Sequence, residues 1–176
     1  MMKRTQAFSL IELIIVLAIA GVLSAYGLPS FNKLAQDKKI QAAKDSLFID
    51  LQYARSKAIS VQSNIIVCPS LSHLNCDASS NWHHGWIVFL DKNADKIYNA
   101  SDEMLRVGDA LPKNLQATSS VHRKKVRFNA MGFAPGTNLS INFCDHRGNA
   151  FAQAIIVSNS GRIKQSKPIS ANVCHS

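Results

Sequence analysis

Residues 7–23 read "AFSLIELIIVLAIAGVL", an apolar run broken by a single carboxylate, Glu12. Lys3 and Arg4 precede it, and the apolar character holds from Phe8 to about Leu28. Roughly 20 apolar residues in a helix span a bilayer, so one membrane pass is expected over 8–28. The leading cations belong on the cytoplasmic side, which places the rest of the chain outside. A charge at the bilayer centre costs ~2.5–3.5 kcal/mol, so Glu12 needs a reason to be there. It lies toward the cytoplasmic end, where the cost is smaller, and Ser9-x-x-Glu12 fits a capping box. A discarded secretory signal is the other reading of such a terminus. Its cut would fall near Ser24–Ala25, where Leu23 occupies a position that wants a small residue.

Outward from this run, Pro29 is expected to end or kink the helix, which then resumes through Ser60. Ile40, Ala43, Leu47, Leu51, Ala54 and Ala58 recur at steps of three and four, the mark of one apolar helical stripe. Lys38, Lys39, Lys44, Asp45, Asp50 and Lys57 are assigned to its solvent faces. From residue 64 the texture changes to short β-rich runs parted by turn residues: "NIIVC", "GWIVFLD", "KVRFNAMG", "LSINFC" and "AIIVSNSGRIKQ". The expected fold is α+β: a long N-terminal helix, its first half in the membrane, packed on an antiparallel two-sheet head. The division is 8–28 for the span, 29–60 for its amphipathic continuation and 61–176 for the head.

The charge is uneven. The 176 residues carry a net +9. Residues 110–176 hold nine Lys or Arg against one acid, Asp145, a net of +8, and residues 1–109 hold a net of +1. A cationic third of this kind suits a polyanion such as nucleic acid or anionic lipid. Four cysteines in an exported chain favour two disulfides. The expected pairs are Cys68–Cys76, closing a short loop, and Cys144–Cys174, tying down the tail. Zinc is the competing use, with His73, His83 and His84 near the first pair, but no Cys-x2-Cys or His-x3-His spacing exists.

A short basic leader followed by Ala7-Phe8-Ser9-Leu10-Ile11-Glu12-Leu13 closely resembles the type IV pilin and pseudopilin signature. The resemblance implies a leader, 1–7, that a prepilin peptidase removes between Ala7 and Phe8. It implies N-methylation of Phe8 and retention of the helix as anchor and later filament core. Glu12, fifth in the mature chain, would then pair with the terminal amine of a neighbouring pilin subunit, which offsets the charge. The family usually has Gly where this chain has Ala7. The stretches "LQYARSKAISVQSNIIVC" (51–68), "GWIVFLDKNADKIYNASDEMLRV" (85–107) and "SNSGRIK" (158–164) resemble the FimT/GspH branch of minor pilins. The implied place is the inner membrane, single-pass with a periplasmic head, and then the pilus or pseudopilus.

In FimT proteins of natural transformation a C-terminal Gly-Arg-x-Arg motif binds DNA. This chain reads Gly161-Arg162-Ile163-Lys164 there, which keeps the charge but loses the bidentate fork of a second arginine. In a hairpin turned at 159–161, Ile163 faces in, and Arg162 and Lys164 face out with Lys167 just beyond. In "HRKKVRF" (122–128), read as a strand, Val126 and Phe128 face the core and Arg123, Lys125 and Arg127 share the outer face. Together these imply contact with double-stranded DNA through its backbone, without base specificity. A GspH-like pseudopilin of type II secretion, with no DNA role, is the alternative.

Two constellations remain. Asp91, Asn93, Asp95, Asn99 and Asp102 are spaced like an EF-hand loop, but Lys96 stands at the glycine position and Asp102 at the bidentate glutamate. A turn held by Asx hydrogen bonds is the expected reading, with calcium at Asp91, Asn93 and Asp95 as the alternative. His83 and His84, if on a strand, point to opposite faces. No nucleophile elbow, Walker loop, HExxH or redox cysteine pair occurs, so neither catalysis nor a cofactor is expected.

Overall fold

The computed structural model describes residues 9–170 and 172–174. The expected leader, with Ala7, and Phe8 lie outside the described residues. One helix, α1 (Leu10–Val61), runs through Pro29 without a break, so the proline does not end it. Proline removes a single N–H from the ladder, and the cooperative bonds of 52 residues carry the helix past it. The chain divides into two compact units, one ending at Lys38 and one spanning Lys39–Ser176.

In the first unit, the carbonyl of Ser9 accepts the N–H groups of Glu12 and Leu13 at 3.1 and 3.2 Å. Leu10, Ile11, Leu13, Ile14, Ile15 and Val16 are each more than half exposed. Successive residues step by about 100° around a helix, so these side chains leave it no polar face. A helix that is apolar all round belongs in a core or a bilayer. Among the described residues no helix is long and apolar enough to cross a membrane.

The second unit begins inside the helix, because that is where the stripe starts. Ile40, Leu47, Leu51, Ala54 and Ala58 are fully buried and Ala43 nearly so. Each Leu or Ile buried this way contributes ~1.5–3 kcal/mol. Three residues assigned to solvent are instead bonded to strands. Lys44 Nζ donates to Gln153 at 2.6 Å, Asp45 accepts from Gln165 at 2.7 Å, and Asp50 is buried. A wide apolar contact draws the stripe's flanking residues in with it. The helix stops where Gln62 takes a left-handed φ of 53° and Ser63 N–H bonds back to the Ala58 carbonyl at 3.2 Å.

Among the described residues eight strands follow: β1 (Asn64–Pro69), β2 (Trp86–Asp91), β3 (Glu103–Gly108), β4 (Gln116–Thr118), β5 (Val126–Phe128), β6 (Leu139–Cys144), β7 (Gln153–Val157) and β8 (Ile163–Ser166). They form two four-stranded sheets, ordered β3-β2-β1-β5 and β4-β6-β7-β8. Every pairing is antiparallel. β1 and β2 read as unbroken apolar runs because both their faces are covered. Ile65, Val67, Trp86 and Val88 join the helix stripe in the main core. Ile66, Cys68, Ile87 and Phe89 form a second cluster with Cys76, Tyr98 and Met104.

Cys68 is bonded to Cys76 and Cys144 to Cys174, which leaves no free thiol among the described residues. The first bridge pins the loop after β1 over the second cluster. The other holds residue 174 to the end of β6.

Candidate functional site

The hairpin of β7 and β8 is closed by a tight loop. Gly161 N–H donates to the Ser158 carbonyl at 2.8 Å, and Ser158 N–H to the Arg162 carbonyl at 3.0 Å. Gly161 has a φ of 75°. A Cβ on it would fall 1.8 Å from the Gly132 carbonyl oxygen, so this position requires glycine on two counts. The loop is docked there by Ala134 N–H on the Asn159 carbonyl and by reciprocal bonds between Asn138 and Asn159. Arg55, from the helix, donates to the same Gly132 carbonyl at 3.1 Å. The result is a rigid mount from which Arg162 and Lys164 project on either side of the buried Ile163, with Lys167 exposed beyond.

The other basic run is arranged differently from the expected strand. Only Val126–Phe128 is a strand, and Arg123 and Lys125 lie before it. Val126 and Phe128 are buried, and Arg127, paired with Ile66 of β1, lies on the opposite face. Arg123, Lys124, Lys125 and Arg127 line one open cleft together with Lys96, but two of the three expected cations are already engaged. Arg123 donates to the carbonyls of Gly136 and Thr137 at 2.8 and 2.9 Å. Lys125 donates to the Lys96 carbonyl at 2.7 Å. Burial lowers the Lys125 pKa, and the neighbouring Lys96 lowers it further. The stripe fails as a strand because the chain turns at 121–122, where the Arg123 N–H closes on the Ser120 carbonyl. Neither Arg162 nor Lys164 lines this cleft; the two basic elements belong to different sheets. Sequence reasoning passed over Lys96 and Lys124 as cleft residues. Lys124 was visible in the basic run, whereas Lys96 arrives from a distant loop.

The loop from β2 to β3 is the Asx-stabilised turn that was expected. Asp95 N–H donates to Asn93 Oδ1 at 3.2 Å, Ile97 N–H to Asp95 Oδ1 at 2.7 Å and Ser101 N–H to Asn99 Oδ1 at 2.9 Å. Burial raises the Asp91 pKa, opposed by the Lys96 N–H and reinforced by Asp102 and Asp95.

His83 and His84 sit on a 3-10 turn, Trp82–His84, not on a strand. About three residues per turn replaces strand alternation, and the rings meet edge-on with centroids 4.3 Å apart. Burial lowers the His83 pKa, and His84 adds to the effect against the pull of the Ala117 carbonyl 3.2 Å away.

Glu12 is exposed in the first turn of α1, amid apolar neighbours that are exposed too. A helix whose first turns, Leu10–Leu23, are apolar apart from Glu12, and whose later stripe is buried under two antiparallel sheets, defines a pilin-like subunit. Residues 43–161 match the family described as Type II transport protein GspH, and residues 2–27 match the prokaryotic N-terminal methylation motif. The chain belongs to the GspH family of minor pilins and pseudopilins.

Its fold is shared with the type IV minor pilin FimU of Pseudomonas aeruginosa strain PAO1. That likeness has 23% identity and a TM-score of 0.62, covering 78% of this chain and 98% of that one. A second crystal form of FimU gives 24% identity and a TM-score of 0.57, over 74% and 98%. The minor pseudopilin EpsH of the Vibrio cholerae type 2 secretion system gives 9% and 0.52, over 75% and 99%. No curated protein sequence matches the chain.

Proposed function

We propose that the chain is a minor type IV pilin that takes part in pilus assembly and binds double-stranded DNA of any sequence. The reading rests on one observation: Arg127, Arg162, Lys164 and Lys167 have no hydrogen bond or ion pair from their side chains among the described residues. Lys and Arg heads that no protein group engages are available to phosphates, and such contacts position a protein on DNA without reading bases. Gly161 supports the same use, since it sets Arg162 and Lys164 on a docked, stiff loop. The assembly half of the proposal lies at the other end of the chain. A prepilin peptidase cuts between Ala7 and Phe8, Phe8 is methylated, and residues 8–28 anchor the subunit in the inner membrane with its head in the periplasm. Glu12 then meets the terminal amine of a neighbouring subunit.

A pseudopilin of type II secretion is the second reading, favoured by the family's description as a type II transport protein. That role needs no DNA contact. Binding of the full-length protein, in detergent micelles, to labelled duplex DNA separates the two. Each phosphate neutralised adds ~0.9 to the slope of log affinity against log salt. Replacing Arg162, Lys164 and Lys167 together by Ala is therefore expected to remove roughly 2.7 of that slope. No binding by the parent at low salt would leave the secretion reading in place. A folded triple variant that binds as tightly as the parent would move the contact off the hairpin.

A further inference from the structure

The loop between β2 and β3 converges oxygen atoms on one point. Asp91, Asp95 and Asp102 each bring a carboxylate oxygen, all within 4.8 Å of one another. Asp91 closes β2 and is 1% exposed. Its Oδ2 accepts the Lys96 N–H at 3.2 Å, while its Oδ1 is buried with no hydrogen-bond partner. No ion pair reaches any of the three carboxylates among the described residues. Lys125, on the Lys96 carbonyl at 2.7 Å, is the nearby cation, but it forms no ion pair with these acids. A buried carboxylate oxygen without a hydrogen-bond partner, in a cluster of three carboxylates, is an unsatisfied site.

We propose that this loop binds one calcium ion, ligated by Asp91 Oδ1 with oxygens of Asp95 and Asp102. The donor set consists of hard oxygens, which select calcium or magnesium over softer-ligand metals. The spacing of Asp91, Asn93, Asp95, Asn99 and Asp102 follows the twelve-residue calcium loop, positions 1, 3, 5, 9 and 12. Two features argued against it in the sequence, Asp102 in place of the bidentate glutamate and Lys96 at the sixth position, where the turn uses glycine. Lys96 nevertheless adopts the left-handed conformation itself, with a φ of 67°. The turn is therefore made without the glycine.

The loop is already shaped for its ligand. Lys92 and Asn99 donate their N–H groups to the two oxygens of Asp102, each at 3.0 Å. Ile97 N–H holds Asp95 Oδ1, and the side-chain amides of Asn93 and Asn99 both point at Asp95 Oδ2. Carboxylate oxygens accept more than one partner, so these bonds orient the acids without using them up. Asp102 is one methylene shorter than the usual bidentate glutamate, which leaves room for water in the coordination shell. Calcium tolerates six to eight oxygens in flexible geometry, whereas magnesium demands a tight octahedron. The expected dissociation constant is that of extracellular calcium modules, roughly 0.1–1 mM.

The test is a titration of chelator-treated full-length protein in detergent micelles with calcium chloride. Binding is followed by calorimetry and by the thermal midpoint, with magnesium chloride in parallel. One saturable calcium event is expected, with a rising midpoint and a weaker magnesium response. Asp95 is exposed, so Asp95→Ala keeps the fold while weakening calcium binding by at least about tenfold through loss of a charged ligand. Asp91→Asn is expected to do the same. The proposal is overturned if the parent shows no saturable calcium binding, if magnesium is bound equally well, or if folded Asp95→Ala keeps the parent affinity.

Discussion

The indole nitrogen of Trp86 lies 2.8 Å from Oδ2 of Asp50, a buried hydrogen bond joining β2 to the helix. The other oxygen of Asp50 accepts from Arg106 of β3 at 2.9 Å, and that guanidinium lies 3.9 Å from the centre of the Tyr53 ring. One carboxylate on the helix therefore ties down two neighbouring strands. Asp50→Ala leaves the Trp86 N–H buried and unpaired, which costs ~1–3 kcal/mol. Asp50→Asn keeps an acceptor and is expected to lose less. Urea unfolding of the two variants measures the difference, and equal losses would mean that charge rather than the indole bond matters.

Gly161→Ala is expected to destabilise the protein by about 1–3 kcal/mol through its left-handed backbone alone. The 1.8 Å approach of the new Cβ to the Gly132 carbonyl adds to this by prising the hairpin loop off its mount. A chemical denaturation curve that matches the parent would show that the loop moves aside freely.

Acid weakens the head through His83. Its folded pKa lies below the unfolded value near 6.5, so the folded state binds fewer protons there. The contribution to stability is fully present above 6.5 and is lost as the pH falls through that value and below it. Thermal midpoints between pH 7.5 and 5.5 are expected to fall, and His83→Asn to flatten part of that slope. An unchanged slope in the variant would assign the effect elsewhere.

The two disulfides differ in reach, with sequence separations of 8 and 30. Loop-closure entropy alone gives about 2.6 kcal/mol for the short one and about 3.7 kcal/mol for the long one. Replacing Cys144 and Cys174 by Ser is therefore expected to cost more through this entropy than opening the short bridge. Denaturation of each double variant against the parent checks the order.

Glu12→Ala replaces a charge by an apolar side chain, so membrane insertion is expected to hold or improve. On the proposed pairing, incorporation into filaments is expected to drop, because the neighbouring subunit's amine would lose its counter-charge. Immunoblots of sheared filaments against the membrane fraction read both quantities. Undiminished filament incorporation would remove the pairing role.

What could be read along the chain was whatever repeats with the backbone. A helix returns to the same side every 3.6 residues and a strand every two. The stripe from Ile40 to Ala58, the inward Ile163 and the alternation around Val126 and Phe128 were therefore legible. Local chemistry was legible too: the Asx turns of 93–101 need only neighbours a few residues away. What depended on distant partners was not. Asp50 looked like a solvent residue until Trp86 and Arg106, 36 and 56 positions away, supplied its bonds. Arg123 looked free until the turn of residues 134–137 brought the Gly136 and Thr137 carbonyls to it. Lys96 looked like a defect in a calcium loop until its backbone took the left-handed turn. No period encodes these, because a buried charge is defined by what folds against it. Packing two sheets against one helix settles which cations are spent inside the protein and which stay exposed to solvent.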